Sequence, residues 1–145
     1  MLVKDAMLPN PLTVGPDTSV AQFVDDVLGS NQTTGSVIDD DGRLVGVVSV
    51  LDVFRRILPS YVQPGRNLGA MIHEGHFDEE FAALTTVPVR SIMTREVETL
   101  SPDEGIMRAI QIFVFDRYKT IPVVEDGKFV GSVTRRSVLR RVTNE

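Results

Sequence analysis

Two histidines and a cluster of acids stand out first as residues able to do chemistry. His73-Glu74-Gly75-His76 is followed by Asp78, Glu79 and Glu80, and imidazole with carboxylate is a ligand set for a divalent metal. Zinc needs three or four such ligands at tight spacing. Gly75 gives no support to a helix that would bring both imidazoles to one face, and the chain has no cysteine to add. The segment therefore reads as an acidic surface loop without a metal. A metal-dependent enzyme is the alternative if this segment folds over a cleft. No other histidines occur, so no side chain of the type that titrates near neutrality lies elsewhere to act as a general base. No nucleophile elbow, Walker loop or dinucleotide fingerprint is present either. Catalysis would have to rest on carboxylates alone, and the chain is expected not to be an enzyme.

Hydroxyls and charges at two matching places offer a different chemistry. Ser49-Val50-Leu51-Asp52 puts a hydroxyl ahead of an apolar run and a carboxylate in its first turn. On geometry alone that is a helix cap, with the acid favoured by the dipole. Thr134-Arg135-Arg136-Ser137 is its counterpart later in the chain. There two cations sit in a first turn, where they oppose the dipole. They are unfavourable unless an anion is near, either a phosphate or an acidic side chain of a neighbouring chain. The alternative is a solvated basic face continued by Arg140 and Arg141.

The elements that must hold these residues recur. Val3, Met7, Thr13, Pro16 and Asp17 return 86 positions later as Val89, Met93, Thr99, Pro102 and Asp103. Gly42, Val45, Gly46, Val48 and Val53 return 85 positions later as Gly127, Val130, Gly131, Val133 and Val138. The extra residue of the first copy lies in an acidic turn, Asp39-Asp40-Asp41-Gly42 against Glu125-Asp126-Gly127. A length change confined to a turn is what a structural repeat tolerates.

Inside each copy, a Thr-bearing strand is followed by a helix. Val20, Phe23, Val24, Val27 and Leu28, then Ile106, Ala109, Ile110, Phe113 and Val114, have helical spacing. Asp17, Thr18 and Ser19 are cap candidates in the first copy, and Ser101-Pro102 opens the helix in the second. Two β-rich runs around each Asp-Gly predict a hairpin. A last helix follows, striped by Val50, Val53, Phe54, Ile57 and Leu58, or by Val138, Leu139 and Val142. One such unit of roughly 60 residues buries too little surface alone, so the two are expected to share one core about a pseudo-two-fold axis. The fold class is α+β, with units at 1–60 and 87–145. The connecting insert, 61–86, has no counterpart in the second copy. It starts with Pro and Gly, ends in a short helix over Asp78–Leu84, and reads as dispensable for folding. Phe113 is placed in the core, whereas Phe115 and Tyr118 lie off the stripe and face a partner chain or cover the junction between units.

The 145 residues suit one compact domain. The net charge of −5 argues against a nucleic-acid polymer as partner. Charge is uneven: residues 1–85 hold five Lys/Arg against twelve Asp/Glu, and residues 86–145 hold ten against eight. A small anion would find its cations in the second half. With no signal peptide and no apolar run near 18 residues, the chain is expected to be cytoplasmic and free of membrane.

Val-x-x-x-Met opening each unit, a Thr in the first strand, and a hairpin ending Gly-h-h-Ser/Thr (h, apolar) resemble CBS domains, named from cystathionine β-synthase. The resemblance covers nearly everything outside Pro59–Val87. It implies a Bateman module: paired CBS domains with a cleft that takes AMP, ADP, ATP or S-adenosylmethionine as ligand, no required cofactor, and assembly as a homodimer. Such modules regulate other proteins, here an unidentified effector. A dimerisation or docking scaffold without nucleotide is the alternative. The family's ribose and phosphate motif, Gly-h-h-Ser/Thr-x-x-Asp, maps onto Gly46 to Asp52, with Ser49 at the phosphate and Asp52 accepting both ribose hydroxyls. In the second copy Thr134 keeps the hydroxyl, Ser137 replaces the carboxylate, and Arg135 or Arg136 is expected to reach across the cleft to the phosphate. Thr13 and Thr99 match the strand threonine near the ligand. Thr34-Gly35-Ser36 and Thr120-Ile121-Pro122 match the stretch that holds the base, with Gly35 and Ser36 departing from the bulkier residue and proline found there.

Overall fold

A computed structural model describes residues 1–67 and 71–143. Each repeat opens with a short 3-10 turn, Val3–Ala6 and Val89–Ser91. In the first repeat come strand β1 (Thr13–Val14), helix α1 (Val20–Leu28), strands β2 (Thr34–Ile38) and β3 (Leu44–Ser49), and helix α2 (Val50–Ile57). Helix α3 (His76–Leu84) lies in the connecting segment. The second repeat holds α4 (Ile106–Phe115), β4 (Thr120–Glu125), β5 (Lys128–Thr134) and α5 (Arg135–Thr143). β1 runs parallel to β2, which pairs antiparallel with β3. β4 and β5 form the matching hairpin. The strand expected around Thr99 is reduced to one parallel bridge, Leu100 to Val123.

Local sequence sets these elements. Ser19, of the three cap candidates, accepts the Gln22 N–H at 3.1 Å and starts α1. α4 starts at Ile106 behind Gly105, four residues later than Ser101-Pro102 suggested. In the second hairpin Asp126 and Gly127 have φ of 53° and 80°, the positive pair that tight hairpin turns demand. The longer first turn is closed instead by Asp39, whose Oδ1 accepts the Asp41 and Arg43 N–H groups, both at 2.9 Å.

The repeats do not share one core, as the sequence suggested; they interlock two. Val3 and Ala6 of the first opening turn are buried with Leu100, Ile112, Ile121 and Val133 of the second repeat. Val89 and Ile92 are buried with Val20, Phe23, Val37 and Val48 of the first. Backbone hydrogen bonds fix the exchange: Thr94 and Val47 trade two (2.8 and 2.9 Å), and Leu8 donates to Ser132 at 2.7 Å. This explains two repeated residue types at once. A Cβ on Gly46 would lie 2.8 Å from the Thr94 carbonyl oxygen and 2.9 Å from Met93 Sδ. A Cβ on Gly131 would meet the terminal methyl of Met7. Each repeated glycine thus leaves room for the repeated methionine of the other copy. An exposed pair also bridges the repeats, Lys4 with Asp103 at 3.0 Å. The hydrogen bond first, and then the charge, hold that ammonium above its ordinary range.

The connecting segment is more than a tether. α3 begins at His76, two residues before the acidic run, because Gly75 takes φ of 86° just ahead of it. Leu84 is buried in the first core, with Phe81 and Val87 packed against it. Val20 and Ala21 donate to the carbonyls of Val87 and Thr85. The expectation that replacing 62–84 keeps most of the melting temperature is met by a different picture: Leu84 is part of the first core, with Phe81 packed against it.

Candidate functional site

Two cavities flank the junction between the repeats. The first, about 400 Å³, lies at the start of α2, a size ordinary for a small-molecule pocket. The second, about 490 Å³, lies at the start of α5. They are pseudo-equivalent: Thr94 of the first corresponds to Leu8 of the second, Ser49 to Thr134, Val50 and Leu51 to Arg135 and Arg136, and Arg55 to Arg140. Thr33, Lys119 and Thr120 line both.

In the first cavity Asp52 is 8% exposed. Its Oδ2 accepts the Ser49 backbone N–H at 2.8 Å and the Ser49 hydroxyl at 3.3 Å. Its Oδ1 receives Arg55 Nη1 at 3.1 Å. The carboxylate therefore reaches back to close the helix start, half of a capping box, and pairs with a guanidinium that is itself largely exposed. The rest of the wall mixes apolar faces (Val47, Phe54, Val97, Tyr118, Pro122) with the cations Arg117 and Lys119. Apolar faces suit a flat ring, the cations an anion, and the carboxylate vicinal hydroxyls.

In the second cavity the helix start is closed without charge. Thr134 N–H donates to Ser137 Oγ at 2.8 Å, and Ser137 N–H donates to Thr134 Oγ1 at 3.0 Å. Around it stand Lys119, Arg135, Arg136 and Arg140, with no Asp or Glu among the described lining residues.

The residues singled out in the sequence separate on this geometry. Thr34, Ser49, Asp52, Thr120 and Pro122 line the first cavity. Thr134, Arg135 and Arg136 line the second, which shares Thr33, Lys119 and Thr120 with the first. Gly35, Ser36 and Ile121 are buried within β2 and β4 and line neither; Gly35 and Ile121 face the cores, alternating with Thr34 and Thr120 on the cavity side. Thr13 and Thr99 are exposed and also line neither. Sequence reasoning passed over Thr94, Val97, Arg117 and Lys119, and gave Arg55 no role. Thr94 had a signal, since it follows the repeated Met93 directly. Tyr118, left open between a partner and the junction, stands at the junction, where its hydroxyl accepts the Glu98 N–H at 3.4 Å. Phe113 is in the core as expected, while Phe115 is exposed.

The histidines do other work. His73 pairs with Glu79 at 3.1 Å on the surface. His76 Nε2 lies 2.8 Å from the Ile57 carbonyl at the end of α2. Among the described residues no three potential ligands gather to hold a metal. No described helix is long and apolar enough to cross a membrane.

The paired units with exchanged opening turns have relatives. Residues 3–59 and 89–144 match the CBS domain. The chain belongs to the CBS domain family. This CBS pair is 30% identical over 154 residues to the protein MJ1426 of Methanocaldococcus jannaschii, covering 96% of this chain and 89% of that one. It is 27% identical over 143 residues to the A-adding tRNA nucleotidyltransferase of Aquifex aeolicus, yet spans only 14% of it. Its fold matches that of CBSX2 in complex with AMP with a TM-score of 0.75, at 25% identity, covering 99% of this chain and 96% of that one.

Proposed function

We propose that this CBS pair is a regulatory sensor, not an enzyme, and that its first cavity binds an adenosine-containing nucleotide: AMP, ADP, ATP or S-adenosylmethionine. The carrying observation is Asp52. Its role at the helix start is filled in the second repeat by a serine, so the fold does not require a carboxylate there. A carboxylate at a cavity wall, beside Arg55 and in a cavity that Lys119 also lines, suits a ribose diol with its phosphate. The AMP complex of CBSX2 supports the ligand class. The sensor acts as a cytoplasmic homodimer that signals to an effector protein. Exposed apolar side chains on α4 (Met107, Phe115) and α5 (Leu139, Val142) support a second copy as partner.

Calorimetric titration of AMP against its 2′,3′-dideoxy analogue tests the reading. AMP should bind at least roughly ten-fold tighter, the difference of about 1.4 kcal/mol expected for one charge-assisted bond. Equal affinities would remove the diol role from Asp52. No binding of any adenosine compound would put the dimerisation scaffold in its place.

A further inference from the structure

We propose that two copies of this chain dock with α3 of each laid on α5 of the other, so that the connecting segment sets the polarity of the homodimer. This docking rests on the homodimer reading above and assigns the faces that meet. α5 carries Arg135, Arg136, Arg140 and Arg141 and no acid, and only Ser137 and Val138 of it are buried. Arg136, Arg140 and Arg141 make no ion pair among the described residues. α3 is its opposite, with Asp78, Glu79 and Glu80 and neither Lys nor Arg. Asp78 and Glu80 make no ion pair among the described residues, and Glu79 meets only His73 at the surface. Both faces are also apolar. Leu139 and Val142 on α5, Phe77 on α3 and Leu58 at the end of α2 are each more than half exposed.

α3 is a fixed platform for such a contact. Leu84 anchors it in the first core, and His76 Nε2 lies 2.8 Å from the carbonyl of Ile57, the neighbour of Leu58. The Phe77 ring stacks on Phe81, with centroids 5.8 Å apart. Phe77 is thus held in place while exposed, and has little side-chain freedom to lose on docking. An ordered, exposed aromatic beside unpaired acids suits a partner face that is apolar and basic.

α5 of a second copy is such a face. Were α5 to pack on α5, four arginines would face four with no acid of either helix between them, and α3 on α3 would set acids against acids; both arrangements are repulsive. A two-fold axis that lays α3 on α5 makes the favourable contact twice. Residues 1–85 hold five Lys/Arg against twelve Asp/Glu, and residues 86–145 ten against eight. The crossed arrangement therefore also sets the acidic half of one copy beside the basic half of the other.

Sedimentation velocity of the full chain tests this docking. The wild type should dimerise, with an association that weakens as salt rises. Asp78→Lys/Glu80→Lys on α3 should weaken it at least roughly ten-fold, and so should Arg140→Glu/Arg141→Glu on α5. All four substitutions in one chain restore opposite charges across the contact, and association should return to within about three-fold of wild type. Asp40→Lys/Asp41→Lys, the same change of charge placed on the first hairpin turn, should alter it less than about two-fold. Should a reversed variant lose its thermal transition, the neutral pairs Asp78→Asn/Glu80→Gln and Arg140→Gln/Arg141→Gln take its place. Each should weaken the dimer, and their combination should weaken it by less than the two effects added. A dimer unmoved by either reversal, no recovery in the fourfold variant, or equal weakening from the hairpin turn would overturn the docking and leave the homodimer standing. A wild-type chain that stays monomeric at every concentration would overturn both.

Discussion

Asp52 ends the first repeat's cap with a carboxylate, and Ser137 ends the second's with a hydroxyl. Both satisfy the same backbone N–H, at 2.8 Å in each case. Around that shared frame the surroundings diverge: Val50 and Leu51 become Arg135 and Arg136, and the single acid of the first wall has no equivalent in the second. What two copies of one frame hold in common is needed for folding; what they do not is available for binding. The comparison separates the helix start, which needs only an acceptor, from the carboxylate, which then points to a ligand.

The interlocking gives the largest expected effect. Residues 1–60 and 86–145, expressed apart, should each lack a cooperative thermal transition or self-associate. Each loses the buried valine and its neighbour that the other supplies, Val89 and Ile92 or Val3 and Ala6. Mixing the two should restore a transition. A cooperative monomeric melt of either fragment alone contradicts the exchange.

Next in size is Leu84→Ala. Truncating a buried leucine costs about 2–5 kcal/mol, and denaturant unfolding should show a loss in that range. A change below about 0.5 kcal/mol, the scale of ordinary surface substitutions, would return the connecting segment to a dispensable linker.

The two glycines sharpen the comparison between repeats. Gly46→Ala forces a methyl against the Thr94 carbonyl, part of a backbone ladder that cannot move independently. It should cost about 2–3 kcal/mol, within the range for overpacking. Gly131→Ala meets the end of the Met7 side chain, which can swing away, and should cost about 1 kcal/mol or less. Denaturant midpoints compare the two directly, and the reverse order would contradict this packing. The smallest effect belongs to Lys4→Ala. Its partner Asp103 is exposed, as Lys4 is, so the melting temperature should hardly change near neutral pH. The raised affinity of Lys4 for its proton means that any contribution is present below its ordinary pKa and fades as pH rises through the higher folded value.

Periodicity, turn chemistry and the repeat offsets made the helices, the hairpins and the paired units legible in the sequence, since each is a local consequence of residue order. The exchange of opening turns was not, because an apolar turn such as Val3–Ala6 carries no mark of which core it enters. The clue was indirect: Gly46 and Gly131 recur without any turn that would need them. Helix faces were overestimated where the site begins. Phe54 was placed on the apolar stripe of α2, but is half exposed and lines the first cavity. Of the site, the part at the hairpin ends could be read, since Ser49 and Asp52 sit in one short motif. The wall from Arg117 to Lys119 could not, since it comes from the other repeat and only the pseudo-two-fold packing brings it near.

Exchanging one cap for the other tests the central claim most directly. Asp52→Ser gives the first repeat the closure that the second already uses, so it should fold with a melting temperature close to wild type. AMP titrated calorimetrically should bind this variant at least roughly ten-fold more weakly than wild type, as the loss of charge-assisted bonds to the ribose requires. Equal affinity in a folded Asp52→Ser protein would contradict the account, leaving Asp52 as a helix cap and nothing more.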